Sequence, residues 1–313
     1  MRKLSIATPL IRSHTLSEMS GRHIYLKCEM LQPSGSFKDR GIGALCLHYA
    51  NEKVPGFVSS SGGNAGLAVA YASQALKIPA KVIVPGTTPD IMVKRLEAEK
   101  ATVIIEGENW DAADAKAKEL ASKEGYAYIP PFDNPIIWQG YMPIIEELKD
   151  QMIKPDAIVV SVGGGGLYSG LVQGLHAQTW EDVVMITAET EGAASLARAV
   201  KEKQRVRLET INTIATTLGA KQICQRAFDW TQKHPTYPQT VTDKEAVSAC
   251  LNFANDHRFL VEPACGAALA VVYEKREILQ QFKNVVVILC GGSGVNLALL
   301  EKWKAQFAIS LTQ

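Results

Sequence analysis

Hydrophobic runs rich in β-branched residues recur along the chain, each followed by a turn and a segment whose apolar residues have helical spacing. Runs of this length and composition predict buried strands. We place eight strands at residues 24–26, 56–60, 80–84, 102–106, 127–130, 157–161, 183–188 and 284–289. Apolar residues three to four apart predict helices between them, including residues 65–76, 91–100, 110–123 and 170–177.

Strands that alternate with helices predict a mostly parallel sheet covered on both faces, so the expected class is α/β, with two doubly wound lobes and a cleft between them. The proline-rich stretch from Pro130 to Pro135 is the best candidate for the crossover between the lobes. We expect a large domain of residues 1–31 plus 135–313 and a small domain of residues 32–134. Ligands of such sheets bind at the carboxyl ends of strands, beside helix N-termini.

Lys38 stands at the predicted start of a helix, within the segment of residues 33–41. A cation there opposes the helix dipole, at a cost of about 0.3–1 kcal/mol. A neutral amine, or an amine bound covalently to a carbonyl group, avoids that cost. Lys38 is therefore a candidate Schiff-base lysine, although a solvent-exposed lysine in a polar loop has the same local sequence.

The segment of residues 59–66 joins a predicted strand to a predicted helix and consists of three serines, three glycines, Asn64 and Ala65. Glycine permits a tight turn, Asn64 can cap the helix, and the free N–H groups at the helix start suit a carboxylate. An ordinary N-cap turn would use the same residues.

Four successive glycines, Gly163, Gly164, Gly165 and Gly166, follow another predicted strand and open a helix. Backbone N–H groups without side chains in the way suit a phosphate. The spacing matches neither the dinucleotide-binding pattern nor the Walker pattern. The sequence therefore predicts a phosphate cradle of another kind, with a structural glycine turn as the alternative.

Composition excludes several classes of protein. The chain has 313 residues, 47% hydrophobic and 21% charged, with a formal net charge of +1, which is typical of globular proteins rather than disordered or fibrous ones. Its lysines and arginines are scattered, so nothing indicates a nucleic-acid partner. No apolar run is long enough to span a bilayer.

The six cysteines lie far apart, without the spacing of a zinc site or a disulfide framework, and we expect a reduced, cytoplasmic protein. Cys290 differs from the others because it follows a predicted strand and precedes a glycine turn. At that place it can face a ligand, although buried cysteines most often act as small hydrophobic residues.

Together these segments resemble the fold-type II pyridoxal-phosphate enzymes, and within them the liver-type serine and threonine dehydratases. The resemblance covers nearly the whole chain, including residues 33–40, 84–89, 129–133, 161–167, 261–268 and 290–293. Each motif alone is only moderately specific, whereas their joint order and spacing are specific. The resemblance implies a pyridoxal 5'-phosphate enzyme that converts L-serine to pyruvate and ammonia, and L-threonine to 2-oxobutanoate and ammonia.

The resemblance also implies roles for single residues. Lys38 matches the lysine that binds the cofactor and then removes the Cα proton, and Phe37 matches the aromatic residue on one face of the cofactor ring. Asn64 matches the partner of the phenolic oxygen, and Cys290 matches the group beside the pyridine nitrogen. The substrate-carboxylate loop corresponds to Ser61, Gly63, Asn64 and Ala65, and the phosphate loop to Gly163, Gly164, Gly165, Gly166 and Leu167.

Two further expectations follow from the relatives. One is a monovalent-cation site, with K+ as the candidate, formed by the Glu189 carboxylate and by backbone carbonyls near Gly163, Ala193, Leu218 and Ala220. The other is a homodimer.

Other members of the superfamily remain as alternatives. Serine racemases carry a serine at the position of Gly62 and use it as the acid on the opposite face of the substrate, and they have an acidic metal ligand near Ser195. Cysteine synthases carry a hydroxyl residue at the position of Ala65. Biosynthetic threonine deaminases usually append a regulatory domain, which we do not expect in a sequence that ends at Gln313.

A catalytically silent homologue that binds the cofactor as a sensor or a scaffold would keep the same overall pattern. The presence of Lys38, Asn64 and Cys290 together favours an enzyme. Formation of pyruvate from L-serine separates these two classes.

Overall fold

The protein is described by a computed structural model over residues 3–152 and 154–310. The ten strands in those ranges are β1 Leu10–Ser13, β2 His23–Lys27, β3 Phe57–Ser59, β4 Ala80–Val84, β5 Thr102–Ile105, β6 Ala127–Tyr128, β7 Ala157–Ser161, β8 Val184–Thr190, β9 Thr236–Val241 and β10 Asn284–Ile288. The thirteen α-helices in the same ranges are α1 His14–Ser20, α2 Lys38–Asn51, α3 Asn64–Leu76, α4 Asp90–Ala98, α5 Trp110–Glu124, α6 Pro135–Tyr141, α7 Pro143–Gln151, α8 Gly166–Ala177, α9 Ser195–Glu202, α10 Gln225–Thr231, α11 Asp243–His257, α12 Pro263–Tyr273 and α13 Leu297–Gln306.

The chain divides into two compact units. Unit 1 comprises Met1–Ile6 and Gln32–Tyr141, and unit 2 comprises Ala7–Leu31 and Met142–Gln313. Helix α6 belongs to unit 1 because it packs closely on α2, where a Cβ atom on Gly140 would lie 2.7 Å from the Cα atom of Gly41. The domain limits predicted above stay a prediction, since compactness does not test which segments fold on their own.

Unit 1 contains a four-stranded sheet in the order β5-β4-β3-β6, and all of its pairs are parallel. Alternate residues of β4 point to opposite faces. Val82 packs with residues of α3 and α4, whereas Ile83 packs with residues of α5. The sheet is therefore covered by helices on both faces, as expected for a doubly wound lobe.

Unit 2 contains a six-stranded sheet in the order β1-β2-β10-β7-β8-β9. Only the pair β1–β2 is antiparallel. The central strand β7 is buried along its whole length, and so is the apolar helix α12 as far as Val272. Continuous apolar strands of this kind are typical of parallel sheets that are buried on both faces.

The predicted α/β class and the eight predicted strands are confirmed, with ends that differ by at most two residues. Two strands were missed, β1 and β9, which form the two edges of the unit 2 sheet. Both are partly exposed, and Pro238 lies within β9, so neither has the apolar run of a central strand. Helix α8 begins at Gly166, four residues before its predicted start, because glycines give no helical signal. Within the described ranges no helix has the length and apolar character needed to cross a membrane.

Candidate active site

Lys38 is the first residue of α2 in unit 1, as the sequence predicts. The preceding Phe37 makes no side-chain cap. Instead, the carboxylate of Asp39 accepts hydrogen bonds from the Ser34 backbone N–H at 2.7 Å and from the Ser34 hydroxyl at 2.5 Å. Asp39 is buried, so these bonds hold the preceding loop against the first turn of the helix.

The half-buried side chain of Lys38 lies between a backbone carbonyl group and an aromatic ring. Its Nζ atom donates a hydrogen bond to the carbonyl oxygen of Pro131 and lies 5.0 Å from the centroid of the Phe37 ring. The Phe37 ring is in turn 5.2 Å from the ring of Tyr141, at a tilt of 52°. The structure therefore brings Lys38 and Phe37 together, and the Tyr141 ring packs against the Phe37 ring.

The predicted carboxylate loop lies between β3, which ends at Ser59, and α3, which begins at Asn64. The prediction that Asn64 caps this helix is wrong: Gly63 is the cap residue, and Asn64 already has a helical backbone. The Gly63 carbonyl accepts from the Leu67 N–H at 3.1 Å. Gly66 is required by a close approach, since a Cβ atom there would lie 1.8 Å from the carbonyl oxygen of Ser61.

The predicted phosphate loop follows β7 in unit 2. Gly165 is the cap residue of α8 and adopts φ = +86°, a left-handed conformation that favours glycine. Its Cα atom faces α10, because a Cβ atom on Gly165 would lie 2.4 Å from the Cβ atom of Ala227. The Gly164 carbonyl accepts from the Cys224 N–H at 2.9 Å, which fixes the loop from the other side.

The N–H groups of this loop suit an anion. Within the described ranges, the backbone N–H groups of residues 163–167 donate to no protein acceptor, and the helix that they open is twelve residues long. Unpaired N–H donors at a helix N-terminus attract negative charge, and glycines leave room for it. This donor set fits the phosphate group of pyridoxal phosphate.

Cys290 lies just after β10, and only 4% of its surface is exposed. Its Sγ atom is 3.5 Å from the hydroxyl oxygen of Ser161, the last residue of β7. The thiol of Cys265 is a neighbour as well, and burial, together with the contact to Cys290, raises the pKa of Cys265. The structure therefore brings Cys290 to the end of the strand that continues into the phosphate loop.

Glu189 is fully buried in β8. Its two carboxylate oxygens accept hydrogen bonds from the backbone N–H groups of Leu196 at 2.8 Å and Ala197 at 2.7 Å, at the start of α9. Burial raises the pKa of Glu189 to about 8, although these N–H groups act in the opposite direction. Of the predicted carbonyl ligands, Gly163 and Leu218 are adjacent, because a Cβ atom on Gly163 would lie 3.2 Å from the Cα atom of Leu218.

One set of contacts near this loop was missed from the sequence. The buried carboxylate of Glu262 accepts from the Thr217 hydroxyl at 2.9 Å and from the Gly294 N–H at 3.2 Å. It therefore links the segment beside Gly163 to the glycine turn that follows Cys290. The available signal was a lone acid between Val261 and Pro263, in a stretch that is otherwise apolar.

Comparisons with known proteins show the family of the chain. Residues 2–291 match the family described as "Pyridoxal-phosphate dependent enzyme". The L-serine dehydratase/L-threonine deaminase of Bos taurus is 45% identical over 318 residues, which cover 98% of this chain and 97% of the bovine protein.

Solved structures are similar as well. The fungal L-serine ammonia-lyase of Rhizomucor miehei superposes with a TM-score of 0.93 at 36% identity, over 98% of this chain and 100% of the fungal one. Maize serine racemase superposes with a TM-score of 0.89 at 25% identity, over 97% of this chain and 93% of the maize one.

We predict that Gly165→Ala weakens binding of pyridoxal phosphate by about tenfold or more, since the new side chain both opposes the left-handed backbone and meets Ala227. Gly125→Ala is the matched control, because Gly125 has φ = +68° but open space around it. The dissociation constant and the melting temperature are measured for both variants. Adding Ala227→Gly should restore part of the loss, and equal behaviour of the two single variants would contradict the prediction.

Proposed function

The chain belongs to the pyridoxal-phosphate dependent enzyme family, and from that premise we propose that it is an ammonia-lyase acting on L-serine and L-threonine. The reaction converts L-serine to pyruvate and ammonia, and L-threonine to 2-oxobutanoate and ammonia. The observation that carries this function is the glycine loop at the start of α8, whose N–H groups donate to no protein acceptor within the described ranges and suit the cofactor phosphate. The position of Lys38 as the first residue of α2 supports it separately. Likeness to dehydratases over nearly the whole chain supports it.

The cofactor would be held from two places. The N–H groups of residues 163–167 would bind its phosphate, and Lys38 would bind it covalently, with Phe37 beside its ring, Asn64 at its phenolic oxygen and Cys290 at its pyridine nitrogen. When bound, pyridoxal phosphate supplies an electron sink for the electron pair left on the substrate Cα atom.

The residues of the chain then have separable tasks. The carboxylate of the amino acid would be bound by Ser61, Gly63, Asn64 and Ala65, where the backbone turns into α3. Lys38, as a neutral amine, would remove the Cα proton. The thiol of Cys290 would lie at the pyridine nitrogen and would hold a proton there less firmly than a carboxylate does. This would favour loss of the β-hydroxyl group over other reactions at the substrate Cα atom.

Racemisation is the second candidate, because maize serine racemase has a similar structure. It requires an acid on the face of the substrate opposite Lys38. Gly62 has no side chain, and a Cβ atom there would lie 2.8 Å from the methyl carbon of Thr88 and 3.2 Å from a methyl carbon of Val84. The space next to Gly62 is therefore filled by the end of β4 and by the loop that follows it, which favours elimination.

We also propose that Glu189 and the carbonyls of Gly163, Ala193, Leu218 and Ala220 bind K+. A buried carboxylate is costly unless a charge or several donors compensate it. Two backbone N–H groups already donate to the Glu189 oxygens, yet burial raises the pKa of this group to about 8. Binding of K+ would therefore be coupled to loss of the Glu189 proton, and the cation would compensate the buried negative charge that results. We further propose a homodimer, a cytoplasmic location and two domains, a large one of residues 1–31 plus 135–313 and a small one of residues 32–134.

The first prediction of the proposed function concerns Lys38. Lys38→Ala should lower pyruvate formation from L-serine by about a thousandfold or more, since it removes the proposed base. It should also remove the visible absorption of the covalently bound cofactor. Lys94→Ala is the control, because Lys94 is an exposed lysine on α4. A Lys38→Ala variant with normal absorption and turnover would contradict the assignment.

The second prediction concerns Gly62 and separates elimination from racemisation. The wild-type protein should give pyruvate and no measurable D-serine. Gly62→Ser combined with Thr88→Ser, which removes the obstructing methyl group, should form detectable D-serine and lose about tenfold in elimination, equivalent to about 1.4 kcal/mol.

The control for this experiment is Gly62→Ala with Thr88→Ser, which adds the same Cβ atom without a hydroxyl group. Both enantiomers are measured by chiral chromatography. Substantial D-serine from the wild-type protein would show that another group serves the far face, and the elimination mechanism would fail.

The third prediction concerns the cation. K+ should raise the melting temperature of the wild-type protein relative to tetramethylammonium at equal ionic strength, because a ligand of the folded state stabilises it. Glu189→Gln should lose that difference, since the amide has no charge to pair with K+. The same K+ effect in both proteins would place the cation elsewhere.

A further inference from the structure

A cluster of polar side chains lies beneath the carboxylate loop of unit 1. It consists of Ser60, Asp114, Lys118 and Tyr128, and we call it the Asp114 cluster. The Asp114 Oδ1 atom accepts hydrogen bonds from the Ser60 hydroxyl at 2.6 Å and from the Tyr128 hydroxyl. Lys118 lies 2.7 Å from the other oxygen, Oδ2, and 5.3 Å from the centroid of the Tyr128 ring.

The cluster holds an ionised carboxylate in a buried place. Asp114 is only 7% exposed and Ser60 is fully buried. Burial by itself would raise the pKa of Asp114, but the bonds from Lys118, Ser60 and Tyr128 outweigh it and lower that pKa below its usual value. Burial and the bond to Asp114 raise the pKa of Tyr128. At neutral pH the carboxylate can only accept, so both hydroxyl groups must donate to it.

The Ser60 arm of the cluster fixes the start of the carboxylate loop. Ser60 immediately precedes Ser61, whose hydroxyl accepts from the Gly63 N–H at 3.3 Å and whose carbonyl lies against Gly66. A shift of Ser60 would therefore move the backbone donors that the proposed function assigns to the substrate carboxylate.

The Tyr128 arm fixes a different segment. Tyr128 ends β6, and the next residue, Ile129, donates its N–H to the Val58 carbonyl at 2.8 Å. Two residues later, the Pro131 carbonyl accepts the hydrogen bond from Lys38 Nζ. A shift of Tyr128 would therefore displace the acceptor that orients Lys38.

We propose that Asp114 is a positioning residue for the reaction, which sets the carboxylate loop through Ser60 and the orientation of Lys38 through Tyr128 and Pro131. The Oδ1 atom of Asp114 accepts both hydrogen bonds, from Ser60 and from Tyr128. Asp114 therefore holds the carboxylate loop and the segment that leads to Pro131 in a fixed position relative to each other. The proposal rests on the proposed function, because it takes from it the roles of the loop and of Lys38.

The same helix supplies a matched control. Glu124, at the last turn of α5, pairs with Lys81 of β4 at 2.6 Å, and both side chains are about one-quarter exposed. Glu124→Gln therefore removes a carboxylate and a lysine pair from the same helix and sheet without touching the loop or the segment before Pro131. A role confined to stability predicts that in both variants any change in kinetics follows the change in melting temperature.

The experiment separates the two arms in the full chain. Ser60→Ala should raise KM for L-serine by about tenfold and change kcat by less than about twofold. Tyr128→Phe should do the reverse, with kcat lower by about tenfold and KM within about twofold. Asp114→Asn should show both changes, whereas Glu124→Gln should show neither.

A second readout does not depend on turnover. Pyridoxal phosphate is added to the cofactor-free protein, and the rate at which the visible absorption of its lysine-bound form appears is followed. Tyr128→Phe and Asp114→Asn should slow this step by about tenfold, and Ser60→Ala should leave it within about twofold. Binding of L-alanine, followed by the change in the same absorption, should be weaker in Ser60→Ala and Asp114→Asn only.

The outcomes distinguish this proposal from the proposed function. If the wild-type protein forms no pyruvate, the function fails, yet the condensation rates and L-alanine binding still test the two arms. Losses in kcat and KM that are equal in Ser60→Ala and Tyr128→Phe and follow the melting temperature would overturn the positioning role. Kinetics and condensation rates in Asp114→Asn that match those of Glu124→Gln would overturn it as well.

Discussion

The phosphate loop depends on one helix N-terminus, the start of α8, whose backbone N–H groups have no acceptor in the described part of the chain. A helix start leaves up to four such donors, and proteins normally satisfy them with side-chain caps or water. At the start of α8 the chain places glycines instead of capping side chains, and the N–H groups of residues 163–167 donate to no protein acceptor in the described ranges. Three features keep the loop in place: the left-handed backbone of Gly165, its close approach to Ala227, and the hydrogen bond from the Cys224 N–H to the Gly164 carbonyl. The anion binding that we propose for this loop would therefore come from the lack of capping side chains at the start of α8.

Much of this was visible in the sequence. Strand and helix alternation gave the α/β class because central parallel strands are continuous apolar runs, and β7 and β10 are buried as that pattern requires. The glycine run and the position of Lys38 were recognisable because they break local preferences, with glycine in a helix start and a cation at its positive end. Edge strands such as β9 were missed because their residues are partly exposed and do not form a continuous apolar run.

Contacts between distant segments could not be predicted in the same way. Asp114 lies in a helical stretch of alanines, lysines and acids, where a surface position is the ordinary interpretation. Its burial depends on Ser60 and Tyr128, which are 54 and 14 residues away. Asparagine is a common N-cap residue, but in α3 the N-cap position is occupied by Gly63, which precedes Asn64. Single-residue preferences are weak compared with the packing of the elements that they join.

The close approach of Gly66 to the Ser61 carbonyl has a consequence for how this loop can diverge during evolution. Any side chain at position 66 would separate α3 from the turn before it, so that position is closed to change whatever substrate the protein acts on. The adjacent Ala65 is buried but carries only a methyl group, and the side chain of Ser61 is partly exposed. New substrate preferences in descendants of this chain would therefore arise at positions 61 and 65, while the backbone proposed to bind the carboxylate would be inherited unchanged.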